Sequence, residues 1–64
     1  MWIARDGNDR LFLYFGIKPV KCGFYWLNGG KYTEIVDDFP SVKWEDDEAT
    51  EVEYNDQNEL VICG

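Results

Sequence analysis

The chain has 64 residues, a formal net charge of −7 and no histidine. That length allows one domain, residues 1–64, whose core leaves only about 3–5 kcal/mol of net stability. Without histidine the commonest general base is missing, and two distant cysteines, Cys22 and Cys63, make no zinc motif, so neither an enzyme nor a cofactor is expected.

The strand signals are short apolar runs rich in aromatic and β-branched residues, broken by turn residues. Residues 2–5 predict a first strand. Asp6-Gly7-Asn8-Asp9 predicts a turn, since Gly and Asn tolerate positive φ. Residues 10–15 predict the second strand and complete a hairpin. Residues 16–23 read as a loop or an edge segment, because Pro19 has no N–H for a ladder. Residues 24–28 predict a third strand, Gly29-Gly30 a two-residue hairpin turn, and residues 31–36 a fourth strand. Residues 37–41 read as a loop, and Val42-Lys43-Trp44 as extended. Thr50, Val52 and Tyr54 alternate with Glu51 and Glu53, as in a half-buried strand. Residues 55–58 predict a polar turn and residues 59–63 a last strand.

No segment has helical periodicity over about ten residues. The fold expected is all-β: a small antiparallel meander of five to six strands, as a curved sheet or an open barrel. The core expected is Trp2, Leu11, Leu13, Trp26, Ile35, Val52 and Leu60. The second and third strands are apolar on both faces, so either the sheet curls to cover both or one face meets a partner. A homodimer is therefore one expectation.

No signal-peptide run opens the sequence, and the longest apolar run in its body, residues 11–15, is far short of a membrane span. The expected setting is cytoplasmic, with reduced thiols and no membrane partner. Eleven aromatic residues supply the area that so short a core needs. Phe12, Tyr14, Tyr25 and Trp26, near Arg10 and Lys31, read first as core and second as a stacking platform.

Charge is split along the chain. Residues 1–32 carry five basic and two acidic groups, a net +3, whereas residues 33–64 carry one basic and eleven acidic, a net −10. This argues against direct nucleic-acid binding, which wants a basic patch. The candidate partner-binding face is acidic: Glu45, Asp46, Asp47, Glu48, Glu51 and Glu53. Such a run solubilises a small β protein, and it also steers basic partners. Glu51 and Glu53 would stand about 6.8 Å apart on a strand, close to the phosphate spacing of a nucleic-acid strand.

The segments Trp2-Ile3-Ala4-Arg5-Asp6, Leu11-Phe12-Leu13, Lys18-Pro19, Phe39-Pro40-Ser41-Val42-Lys43-Trp44-Glu45-Asp46-Asp47-Glu48 and Thr50-Glu51-Val52-Glu53 resemble a family of short bacterial and prophage proteins from gut anaerobes. The chain departs from that pattern at Ala49, where the family has proline, and after Tyr54. The family has no assigned activity, so no site residue carries over. The resemblance implies a small accessory protein of phage origin. Two functional expectations follow: a non-catalytic protein-interaction module, or an acidic nucleic-acid mimic that inhibits a host nucleic-acid-binding protein.

Overall fold

The computed structural model describes residues 1–27, 30–35 and 39–63. It holds seven strands: β1 (Trp2–Arg5), β2 (Leu11–Tyr14), β3 (Val20–Cys22), β4 (Tyr25–Leu27), β5 (Tyr32–Glu34), β6 (Thr50–Tyr54) and β7 (Leu60–Ile62). All pairings are antiparallel. Five strands form one sheet in the order β5-β2-β1-β6-β7, and β3 and β4 form a separate hairpin. The sheet is not closed into a barrel.

The two long hairpins turn in the same way. Asp6 N–H donates to Arg10 O and Asp9 N–H to Asp6 O, and Asp9 carries φ 73°. Asn55 N–H donates to Glu59 O and Asn58 N–H to Asn55 O, and Asn58 carries φ 62°. Each is a three-residue loop, a turn followed by one left-handed residue. Asp and Asn tolerate that conformation without glycine because their short polar side chains bond locally. Asn55 Oδ1, for example, accepts from the Gln57 and Glu59 N–H groups. The first turn was expected to use Gly7 or Asn8 for its positive φ, but Asp9 supplies it.

The expected hairpin across Gly29-Gly30 is replaced by other pairings, and Gly29 lies outside the described residues. β4 pairs with β3, with Cys22 opposite Tyr25, and β5 pairs with β2, with Tyr14 opposite Tyr32. The β3–β4 turn is Gly23-Phe24, where Gly23 has φ 63°. Glycine in the first central position is the signature of a two-residue II′ turn, so the edge segment at 20–22 folds back as a strand. Its closing pulls β4 away from β5, and β5 takes the free edge of β2. Val42-Lys43-Trp44 is not a strand: Val42 N–H donates to Phe39 O and Asp46 N–H to Lys43 O, both turn bonds.

Of the two strands that are apolar on both faces, β2 is covered on both sides by the chain itself, whereas β4 buries Trp26 and leaves Tyr25 and Leu27 exposed. On one face Ile3, Leu11, Leu13 and Val52 pack with Val42, and Met1, Ile35, Phe39 and Leu60 close the margin. On the other, Ala4 and Tyr14 pack with Trp26 and Ala49, joined by Trp2, Phe12 and Trp44. The sheet is thus the middle layer, between segment 39–42 and the β3–β4 hairpin. Of the expected core, Leu11, Leu13, Trp26 and Val52 are buried, whereas Trp2, Ile35 and Leu60 are half-buried packing residues. Ile3, Ala4, Tyr14 and Val42 join the core because both faces of β1 and β2 are roofed.

Candidate functional site

The acidic residues are placed first by what holds them. Glu45, Asp47, Glu48, Glu51 and Glu53 are exposed, and Asp46 is half-buried. Asp46 Oδ2 accepts the Lys43 N–H at 3.0 Å, so this carboxylate caps its own turn. Lys21 Nζ reaches into the same loop and donates to the carbonyls of Trp44 and Asp46. The Lys21 ammonium also stands 4.2 Å from the Trp44 ring centroid, a cation–π contact that ties the hairpin to the loop. Glu48 pairs with Lys18 at 3.1 Å, and Lys18 Nζ lies 5.1 Å from the Trp2 ring centroid.

Glu51 and Glu53 project from β6 on the face that carries Trp2 and Val61, since Glu51 stands opposite Trp2 and Glu53 opposite Val61. The Cys63 thiol lies near both carboxylates. Partial burial raises its pKa, and Glu53 and Glu51 raise it further. A thiol held protonated is a poor nucleophile. Cys22 and Cys63 are both free, the former exposed and the latter half-buried. Among the described residues no three Asp, Glu or Cys side chains converge as metal ligands would. Among them, too, no helix is long and apolar enough to cross a membrane.

A different feature has the shape of a binding site. A groove of about 430 Å³ runs between the hairpin and the sheet, lined by Asp6, Phe12, Tyr14, Tyr25, Trp26, Leu27 and Tyr32. Strand alternation and register build it. Phe12 and Tyr14 point to one face of β2, and the pairing of Tyr14 with Tyr32 brings β5 to that face. The Tyr32 ring then lies 5.9 Å from Phe12, edge to face, and 5.8 Å from Tyr14. From the other side β4 contributes Trp26, held by its indole N–H donating to Arg5 O at 2.9 Å and by an edge contact with Trp44.

Asp6 is the charged group of the groove. Burial raises its carboxyl pKa, against a hydrogen bond from the Trp26 backbone N–H that lowers it. Its Oδ1 is buried and has no hydrogen-bond partner among the described residues. A raised folded-state pKa means that stability present at low pH is lost as pH climbs through it.

Four of the groove's rings were recognisable as interleaved aromatics. Asp6 and Tyr32 were not, because Asp6 reads as a turn residue and Tyr32 as part of a hairpin with β4. The weak signal available was Gly23-Phe24, whose turn folds β4 over Asp6.

Tyr14 gives the groove a pH signature. Burial, then the Asp6 carboxylate and the Tyr32 hydroxyl, push its pKa from 10.0 to about 12. Below pH 10 this contribution to stability is fully present, and it is lost as pH rises through about 12. Tyr14→Phe should escape the loss. Between pH 9 and 12 the stability of the parent relative to this variant should fall by about 2–3 kcal/mol in urea denaturation. A constant difference across that range would contradict the burial of the phenol.

Comparison with protein-family models, with curated proteins and with solved structures finds no match to this chain, so its function is argued from these residues.

Proposed function

We propose that this chain is a non-catalytic protein-interaction module that docks its partner on the aromatic groove. The observation that carries this is the exposure of the rim. Tyr25, Leu27 and Tyr32 are 53%, 53% and 59% exposed, although the chain already covers both faces of its central strands. Aromatic rings in a concave, partly open site are the usual anchors of recognition. The acidic surface opposes nucleic acid there, because phosphate contact supplies most of that affinity. The cytoplasmic setting and the phage-derived accessory role belong to the same reading and are supported by the sequence alone.

The second reading, an acidic mimic of nucleic acid, is favoured by the exposed Glu51 and Glu53 on one face of β6. Asp46 and Glu48 speak for the first reading, since both are engaged by the fold.

Parallel pull-downs separate the two. Leu27→Ser/Tyr32→Ser should lose the retained partner while melting like the parent, and Glu51→Gln/Glu53→Gln should keep it. The reverse pattern would transfer the function to the acidic face. Sedimentation equilibrium of the purified chain shows whether the retained partner is a second copy.

A further inference from the structure

The groove is chemically uneven. Its walls are rings, and its floor holds one carboxylate. Asp6 Oδ1 is shut from solvent without a donor, although buried acceptors in folded proteins are nearly always paired. The Trp26 backbone N–H favours the ionised carboxylate, but Oδ1 itself has no donor among the described residues. Among the described residues no lysine or arginine lines the groove. The hairpin's own lysines are occupied elsewhere, Lys18 by Glu48 and Lys21 by the carbonyls of Trp44 and Asp46. Among the described residues the site therefore has an acceptor lacking a donor and a negative charge lacking a counter-charge. Aromatic rings, whose faces attract cations, line the same groove.

We infer that the groove captures the primary ammonium of a lysine side chain from a basic segment of the partner protein. One N–H donates to Asp6 Oδ1, and the charge lies against the rings of Tyr14, Tyr32 and Trp26. This rests on the interaction-module reading and names the chemistry of its partner.

Other cations fit less well. A trimethylated ammonium has no N–H for Oδ1. A guanidinium is a planar fork that matches both oxygens of a carboxylate, whereas only Oδ1 is a buried acceptor without a donor here. A hard metal ion needs several oxygens, and Asp6 is the only carboxylate among the described residues that line the groove. An ammonium is compact, with rotatable donors, on a slim alkyl stem that Leu27 and Tyr32 can pack. A groove of about 430 Å³ lies within the ordinary range of ligand sites, roughly 300–1,000 Å³. The formal net charge of −7 steers a basic segment toward the chain. To admit the ammonium the rim must part, and Tyr25 and Tyr32, more than half exposed, are the side chains free to turn.

The test is an NMR titration of the purified chain with the peptide Gly-Gly-Lys-Gly-Gly, blocked at both ends. Matched peptides carry norleucine, arginine or trimethyl-lysine at the centre. Saturable shifts should appear at the Trp26 indole and at Tyr32, with the lysine peptide binding at least tenfold tighter than the norleucine one. Asp6→Asn should reduce lysine affinity at least tenfold without changing norleucine affinity. Tyr32→Ala, at an exposed position, should weaken lysine binding whether or not the Asp6 variant folds. Equal binding of norleucine and lysine would remove the cation inference and leave the interaction module standing. Tighter binding of arginine or trimethyl-lysine would overturn the hydrogen-bond argument. Shifts confined to Glu45–Glu53, or no shifts with any peptide, would overturn the lysine site, while the pull-down with Leu27→Ser/Tyr32→Ser still decides the module.

Discussion

Trp26→Ala should leave no cooperative melt at 25 °C. Trp26 is 4% exposed and is the centre of the hairpin's contact with the sheet, packing with Ala4, Tyr14 and Ala49. Removing so large a buried ring costs about 3–5 kcal/mol, which equals the whole net stability of a domain this size. The loss would not stop at a cavity. With the ring gone, β3 and β4 have little to hold them over β1 and β2, because a two-stranded hairpin is marginal alone. Trp26→Phe isolates the second contribution. It keeps most of the ring and deletes the indole N–H that donates to Arg5 O. A buried carbonyl left without its donor costs about 1–3 kcal/mol. Urea denaturation followed by circular dichroism should therefore rank parent, Trp26→Phe and Trp26→Ala in that order. A Trp26→Ala protein melting within a few degrees of the parent would refute the placement of this ring.

Arg5→Met should be equally damaging, through the opposite face. Arg5 is a buried charge at 5% exposure. Its Nε donates to Val42 O at 2.6 Å, one guanidinium nitrogen to Asp9 O at 2.9 Å and the other to Phe39 O at 3.1 Å. Those carbonyls belong to the first hairpin loop and to segment 39–42, which has no strand of its own to anchor it. The guanidinium thus fastens the layer that covers Ile3, Leu11 and Leu13. Methionine preserves the stem and leaves the carbonyls without donors. Lysine preserves the charge, but its single ammonium cannot span three acceptors held in a fork. Each buried carbonyl left without its donor costs about 1–3 kcal/mol, so the loss of several approaches the whole net stability of the domain. Both variants should melt well below the parent, and at a temperature where they are still folded hydrogen exchange should show early loss of protection at the Val42 N–H, which donates to Phe39 O. Retention of that protection in Arg5→Met would contradict the role given to the guanidinium.

The two predictions meet in one residue. The Arg5 carbonyl receives the Trp26 indole from one side of the sheet, and its side chain holds segment 39–42 on the other. The two covers should therefore be coupled. A double-mutant cycle between Trp26→Phe and a conservative change at Val42 should show coupling above the roughly 0.3–0.5 kcal/mol expected of independent sites.

What could be read from residues in order is what neighbours determine. The alternation of Thr50 to Tyr54 marks β6, the apolar run marks β2, and the short polar segments at 6–9 and 55–58 mark turns, because pleat and turn chemistry act over two to five residues. The all-β antiparallel class follows from those local signals, and so does the two-sided character of β2. Tertiary structure decided which strands meet. β4 could close on β5 or on β3, and the choice depends on Trp26 finding the face of Ala4 and Tyr14, a contact between segments far apart in sequence. It also decided that Arg5, one arginine among apolar neighbours, is a buried latch, since only the fold of segment 39–42 supplies its carbonyls. The acidic run is plain in the sequence, but its division into Asp46, which caps its own turn, Glu48, which is exposed and paired with Lys18, and Glu51 and Glu53, exposed on β6, is a matter of register and loop path. Asp6 shows the difference most clearly. As a turn residue it is ordinary, and it becomes the charged group of an aromatic groove only because the β3–β4 hairpin packs beside it and shuts one carboxylate oxygen, Oδ1, from solvent.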